Sequence, residues 1–187
     1  MQEAVPEGTG SMLAVMGMNI NDLENLLKKN DINFGVCEIA NDNSENQIIL
    51  SGHKKTIDEI NKVLKTMKKR SLPLPVSAPF HCSLMKPAAD KMDPKIKKTN
   101  FKNPTVEVVS NVTADSVKVS DEIKSLLVKQ IVSKVRWRES IIFMIQNGVD
   151  EFIEIGPGKV LSGLVKRIND KVSSKSINTI EEIKSLK

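Results

Sequence analysis

Between residues 12 and 77 the apolar side chains change their spacing repeatedly, and few folds accommodate that succession. Met12-Leu13-Ala14-Val15-Met16 is an unbroken apolar run of strand length, stopped at Gly17. Leu23, Leu26 and Leu27 then recur at helical spacing behind Asn19 and Asn21, either of which can cap, and Lys28-Lys29 complement the negative end of a helix over 21–29. A strand over 36–40, a polar turn through Asn41-Asp42-Asn43-Ser44-Glu45-Asn46 and a second strand over 47–51 read as a hairpin. Ile57, Ile60, Val63, Leu64 and Met67 fall on one face of a helix beginning near Thr56, and 72–76 returns extended, with Pro73 and Pro75 suited to an edge strand. Strand, helix, strand, strand, helix, strand is the order of the split β-α-β, ferredoxin-like unit, a compact module of about this length.

Past residue 78 the character changes. The pattern predicts a helix over 85–97 interrupted at Pro94, a strand through Val106-Glu107-Val108-Val109-Ser110-Asn111, and a helix capped by Asp121 and carrying Ile123, Leu126, Leu127 and Gln130. A further helix over 138–146 ends at Asn147-Gly148. Phe152-Ile153-Glu154-Ile155 is a short strand that Gly156-Pro157-Gly158 turns into a helix bearing Val160, Leu161, Leu164, Val165 and Ile168. This alternation indicates an α/β layer with a mainly parallel sheet. Only two or three of its strands lie after residue 78 and none is evident before residue 11, whereas a parallel sheet must be covered to be stable. The missing strands are expected upstream, and Pro6, Gly8 and Gly10 read as a connector entering from there.

Composition removes several function classes. With 40% hydrophobic and 27% charged residues the chain is that of a folded globular protein. It has no apolar run of membrane-spanning length and no basic segment followed by an apolar block at its start, which points to the cytoplasm and away from a membrane. Cys37 and Cys82 are far apart and have no histidine at ligand spacing, so they read as reduced thiols, with neither zinc nor a disulfide framework. The net charge of +5 rests on lysine clusters such as Lys68-Lys69-Arg70 and Lys95-x-Lys97-Lys98. A solvated face or an acidic partner would each account for it. Nucleic acid is disfavoured, because five Phe, one Trp and no Tyr leave little to stack on bases.

The chemistry-bearing stretch is Leu74-Pro75-Val76-Ser77-Ala78-Pro79-Phe80-His81-Cys82-Ser83-Leu84-Met85, an apolar strand running into a turn that presents one of only two histidines. Imidazole suits proton transfer near neutral pH. A Cys82–His81 pair is disfavoured because neighbours on an extended segment point to opposite sides. The other histidine, His53, reads as a loop residue before a helix. No Gly-x-Ser-x-Gly occurs among the 187 residues, so the chain reads as the base half of an acyl-transfer site without the nucleophile half.

Four blocks carry a family resemblance. Met1-Gln2-Glu3-Ala4-Val5-Pro6-x-Gly8-x-Gly10, Asn41-x-Asn43 before Gln47-Ile48-Ile49-Leu50-Ser51-Gly52, the His81 stretch, and Glu154-Ile155-Gly156-Pro157-Gly158-Lys159-Val160-Leu161 occur in this order and cover nearly the whole chain. Together they resemble the malonyl-CoA:acyl carrier protein transacylases. The resemblance implies an α/β fold, here a partial α/β-hydrolase-like acyltransferase core with an inserted ferredoxin-like subdomain. On that scheme residues 1–11 are a connector from the large domain, 12–77 the ferredoxin-like subdomain and 78–187 the C-terminal part of the core.

It also implies an acyltransferase of fatty acid biosynthesis that needs no cofactor or metal, with malonyl-CoA and the phosphopantetheine thiol of acyl carrier protein as substrates. His81 matches the family's general base, and Gln130, by its spacing before Val135-x-Trp137, the residue whose backbone carbonyl orients that histidine. Asn41 and Asn43 match a polar pair near the substrate entrance, although turn chemistry explains them as well. Gly156-Pro157-Gly158 reads as close strand-helix packing rather than as an anion site. In relatives the serine elbow and the malonyl-pairing arginine lie upstream of the segment matching Met1. The chain is thus expected to be a fragment of such an enzyme, or to work only with a separately encoded N-terminal half. The alternative is a non-catalytic remnant that binds acyl carrier protein or CoA.

Overall fold

The computed structural model describes residues 4–29, 35–76 and 78–185. The expectations that involve residues 1–3 and Ser77 lie outside them.

Strand β1 (Gly10–Met16) is followed by helix α1 (Ile20–Lys29), strands β2 (Cys37–Ser44) and β3 (Gln47–His53), helix α2 (Lys54–Thr66) and strand β4 (Arg70–Pro73). The four strands form one antiparallel sheet in the order β2-β3-β1-β4, which is the split β-α-β arrangement that the changing periods predict. β4 occupies an edge, where Pro73 can be tolerated. Alternation divides β1 between two cores. Leu13 and Val15 point to the helices and pack with Leu23, Leu50, Ile57, Ile60 and Leu64. Met12 and Ala14 point the other way, with Ala40 and Ile49, against Leu74 and Phe80. This second face supports the histidine turn.

The expected turn over 41–46 is instead strand. β2 continues to Ser44, and only Glu45 and Asn46 form the turn to β3. Two register irregularities, between Ile39 and Asn41 and between Asp42 and Ser44, let the polar run follow β3. Burial of Asp42, at 1% exposure, is offset by a two-pronged contact from Arg138, whose Nε lies 3.0 Å from Oδ1 and Nη2 2.8 Å from Oδ2.

In the second half, a turn of 3₁₀ helix (Ser83–Met85) leads into α3 (Lys86–Lys98), which runs on through Pro94 instead of breaking there. The exposed pair Lys97–Asp93 spans Pro94, where proline removes one backbone bond. The predicted strand over 106–111 is only β5 (Val108–Ser110), paired antiparallel with β6 (Asp115–Val117) as a small hairpin. Helix α4 (Ser120–Gln130) is preceded by Val119, and Asn103 Oδ1 rather than Asp121 accepts from its first amide, that of Ser120, at 2.9 Å. Helix α5 (Trp137–Gln146), strand β7 (Glu151–Ile155), helix α6 (Val160–Ile168), strand β8 (Ser173–Ile177) and helix α7 (Ile180–Lys184) complete the order. β7 and β8 are the parallel pair, joined through α6. No helix among the described residues is long and apolar enough to cross a membrane.

Candidate active site

The turn that carries His81 is fixed from three sides. Beneath it, Phe80 packs both with Met12, Ala14 and Ile49 and with Ala78, Met85, Ala88 and Ile131. Behind it, Gly10 leaves room for Pro79: a Cβ on Gly10 would stand 2.3 Å from Pro79 Cδ. From β2, the Glu38 carboxylate accepts from the Ser83 amide at 3.1 Å and from the Ser83 hydroxyl. Held this way, His81 adopts a left-handed backbone with φ of 60°, a conformation that a side chain bearing a Cβ takes only at a cost of about 1–3 kcal/mol.

That backbone turns the ring toward the C-terminal end of α4, where Nδ1 lies 3.0 Å from the Gln130 backbone oxygen. A carbonyl can only accept, so Nδ1 carries the proton and Nε2 the lone pair. Among the described residues Nε2 has no hydrogen-bond partner. Gln130 is the last residue of α4, where carbonyls lack intrahelical partners and the helix dipole is negative. Its oxygen also accepts weakly from the Ser133 amide, at 3.3 Å. Such an oxygen holds the tautomer as a neutral acceptor, in the position that a carboxylate fills in an Asp-containing triad. An oriented, half-buried ring with one nitrogen free is able to take up a proton from a group brought to it.

The neighbouring thiol takes no part. Cys82 is fully buried, its Sγ donates to the Pro79 oxygen at 3.1 Å, and burial pushes its thiol up from the ordinary range. Burial likewise drives the Cys37 thiol up to about 12. His53 is structural: the Val36 amide donates to its Nδ1 at 2.8 Å, just before α2.

Asn41 and Asn43 sit half-buried on β2, flanking Asp42. Asn41 forms a parallel bridge with Val135, and the Asp42 amide donates to the Val135 oxygen at 2.9 Å. The structure brings His81 and Gln130 into contact and anchors the Asn41 segment to the loop five residues beyond Gln130. Sequence reasoning missed Glu38, Asp42 and Arg138, whose partners lie 45 and 96 residues away and leave no local pattern.

At Gly156-Pro157-Gly158 the chain supplies its own anion. The Glu154 carboxylate accepts from the Leu161 amide at 3.1 Å and the Ser162 amide at 2.8 Å, and these bonds hold it below the usual carboxylate range. A groove of about 530 Å³ between α3 and α4 is lined by Lys86, Asp90, Lys97, Lys124 and Val128 and includes none of the candidate residues. Among the described residues no three His, Cys, Asp or Glu side chains are grouped to hold a metal ion.

No protein-family model matches the chain. It is 42% identical over 179 residues to the malonyl CoA-acyl carrier protein transacylase of Escherichia coli (strain K12), a match that covers 95% of this chain and 58% of that protein. The solved acyl-carrier-protein-S-malonyltransferase from Bartonella henselae superposes with a TM-score of 0.93 at 40% identity, over 98% of this chain and 59% of the other. A malonyl-transacylase solved in complex with its type II PKS acyl-carrier protein superposes with a TM-score of 0.92 at 37% identity, over 99% and 60%. The chain spans about three-fifths of the length of the curated relatives it matches and corresponds to their C-terminal portion.

Proposed function

We propose that this chain, as the C-terminal portion of a malonyl CoA-acyl carrier protein transacylase, supplies the base of a two-step acyl transfer whose serine comes from the remainder of that fold. The observation that carries the reading is the 3.0 Å contact from His81 Nδ1 to the Gln130 oxygen, which leaves Nε2 free to take a proton.

In the first step His81 Nε2 accepts the serine hydroxyl proton as the oxygen attacks the malonyl-CoA thioester carbonyl. The imidazolium, steadied by the Gln130 oxygen, returns that proton to the departing CoA sulfur, leaving malonyl-serine. In the second step the same nitrogen takes the proton of the phosphopantetheine thiol on acyl carrier protein, whose sulfur displaces the serine oxygen. The proton then returns to that oxygen. No cofactor enters either step. Asn41 and Asn43 are the proposed acyl-CoA contacts, and the division into 1–11, 12–77 and 78–187 is the proposed domain scheme. The two free cysteines suit a reducing cytoplasm.

The test is mass spectrometry after incubation with malonyl-CoA. The chain alone should gain no malonyl adduct. Complemented with the N-terminal portion of a matched transacylase, it should support an adduct on the serine of that portion, and His81→Ala should reduce its rate by about 10²- to 10⁴-fold. An adduct on this chain alone, or one indifferent to His81→Ala, would overturn the assignment. A second reading, a non-catalytic module binding acyl carrier protein, rests on the net charge of +5. It predicts salt-sensitive binding that survives His81→Ala with no transfer at all.

A further inference from the structure

We infer that Glu38 is a positioning residue for His81: its carboxylate, acting through Ser83, holds the left-handed turn that aims the imidazole at the Gln130 oxygen. This role rests on the transfer reading above and lies outside the reacting groups.

A residue bearing a Cβ stays at positive φ only where its surroundings over-determine it. His81 has φ of 60°, and Cys82 beside it is extended at φ −136° and ψ 172°, so the chain changes course sharply between the two. From within the turn comes the bond from the Cys82 thiol to the Pro79 oxygen, and a thiol is a weak donor. The Ser83 end is held from outside. There Glu38 Oε2 accepts from the Ser83 amide at 3.1 Å and Oε1 accepts from the Ser83 hydroxyl, across 45 residues of sequence. The Ser83 amide opens the 3₁₀ turn before α3, where a helix start supplies it no acceptor of its own. A carboxylate that takes two donors from one residue fixes direction as well as distance, and bonds to an ionised acceptor are the stronger kind.

Register explains why Glu38 reaches the turn. It pairs with Ser51, and Ser51 pairs with Met12, so the three side chains share one face of the sheet. Met12 belongs to the cluster that Phe80 packs on, and Ser51 is fully buried. The same strand also reaches the ring's acceptor. The Val135 amide donates to the Ala40 oxygen at 2.8 Å, the Asp42 amide donates to the Val135 oxygen at 2.9 Å, and the Ser133 amide closes back on Gln130. β2 therefore carries both anchors of the His81–Gln130 contact: a side-chain anchor at Glu38 and a backbone anchor at Ala40 and Asp42. Removing the first leaves the second in place, so the ring moves against a fixed oxygen. Ser83 is exposed and Glu38 half-buried, so their bond adds little to stability and its loss is read in geometry.

Two measurements test this. The first is the imidazole nitrogen shifts of the 187-residue chain at about pH 8, where an ordinary histidine is neutral. His81 should show a protonated Nδ1, Glu38→Ala should mix the two tautomers, and Glu38→Gln, whose amide can still bond both Ser83 groups, should keep the original signal. The second is malonyl transfer by the chain complemented as above. Glu38→Ala should lower kcat about tenfold with KM for malonyl-CoA within about twofold, and Glu38→Gln should restore most of it. Ser83→Ala keeps the amide bond, should fall between the two, and serves if Glu38→Ala fails to fold. Glu59→Ala, which only unpairs Lys62 on α2, should change neither readout. A lowered unfolding midpoint with the His81 signal unchanged in Glu38→Ala overturns the inference, as does a raised KM at unchanged kcat. Mixed tautomers in Glu38→Ala beside an unsubstituted chain that supports no transfer would defeat the transfer reading and leave the positioning role standing; transfer indifferent to Glu38→Ala would do the reverse.

Discussion

Among the described residues strand β1 has a hydrogen-bonded neighbour on each side and apolar partners on both faces, whereas β7 has one neighbour and one covered face. Both were legible as apolar strands in the sequence. The difference lies in what surrounds them. β1 draws its partners from residues 10–74 and 80, within a short stretch of chain, so its sheet is completed by local supply. Among the described residues β7 and β8 pack chiefly against α6, and Ile153 and Ile155 on the other face stay exposed. Apolar content alone therefore does not say whether a strand is central or waiting for a neighbour.

The largest expected effect tests the closed side. Leu50→Ala removes a fully buried side chain at the centre of the α1-α2 core and should cost about 2–5 kcal/mol by denaturant unfolding. A loss under about 1 kcal/mol would show that this core is as loose as the open one.

Next is the tie between the two halves. Arg138→Ala leaves the Asp42 carboxylate, 1% exposed, without its cation and should destabilise by about 3 kcal/mol, discounted because the arginine side chain is 23% exposed. Asp42→Asn in that background should recover part of the loss. A surface-like effect of a few tenths would mean that β2 does not depend on α5.

The third measurement concerns acid. Because Glu154 is held below its ordinary 4.5 by the amides of α6, its contribution is present above that value and is lost as pH falls through the lower, folded value. Amide exchange at Leu161 and Ser162 should accelerate below pH 4.5, and Glu154→Gln should remove that dependence. Smallest of all, Ile155→Ser on the unassembled chain should change stability by less than about 0.5 kcal/mol, since the side chain is already 71% exposed.

The sequence made most of the first layer legible because its contacts follow from periodicity: Leu23 with Leu26, Ile57 with Ile60 and Leu64. It located His81, and the family resemblance, matching Gln130 by its place before Val135-x-Trp137, implied a contact that the structure contains at 3.0 Å. What it hid depends on distant partners. The polar run from Asn41 to Ser44 reads as a turn until Arg138 and Val135 are brought against it. Ser173-Ser174-Lys175-Ser176-Ile177 shows little strand character, and becomes β8 by pairing with β7 in register from Glu151 to Ile155. Pro94 signals a break, yet the helix continues through it, with Lys97–Asp93 paired across it.

Phe80 belongs to two apolar clusters at once and immediately precedes His81 along the chain. A ring shared in this way ties the four-stranded sheet to the α3-α4 layer next to the imidazole that faces the Gln130 oxygen. Trimming that ring, as in Phe80→Leu, would uncouple the two layers at the place where alignment matters most, so proton transfer should suffer before the fold itself does.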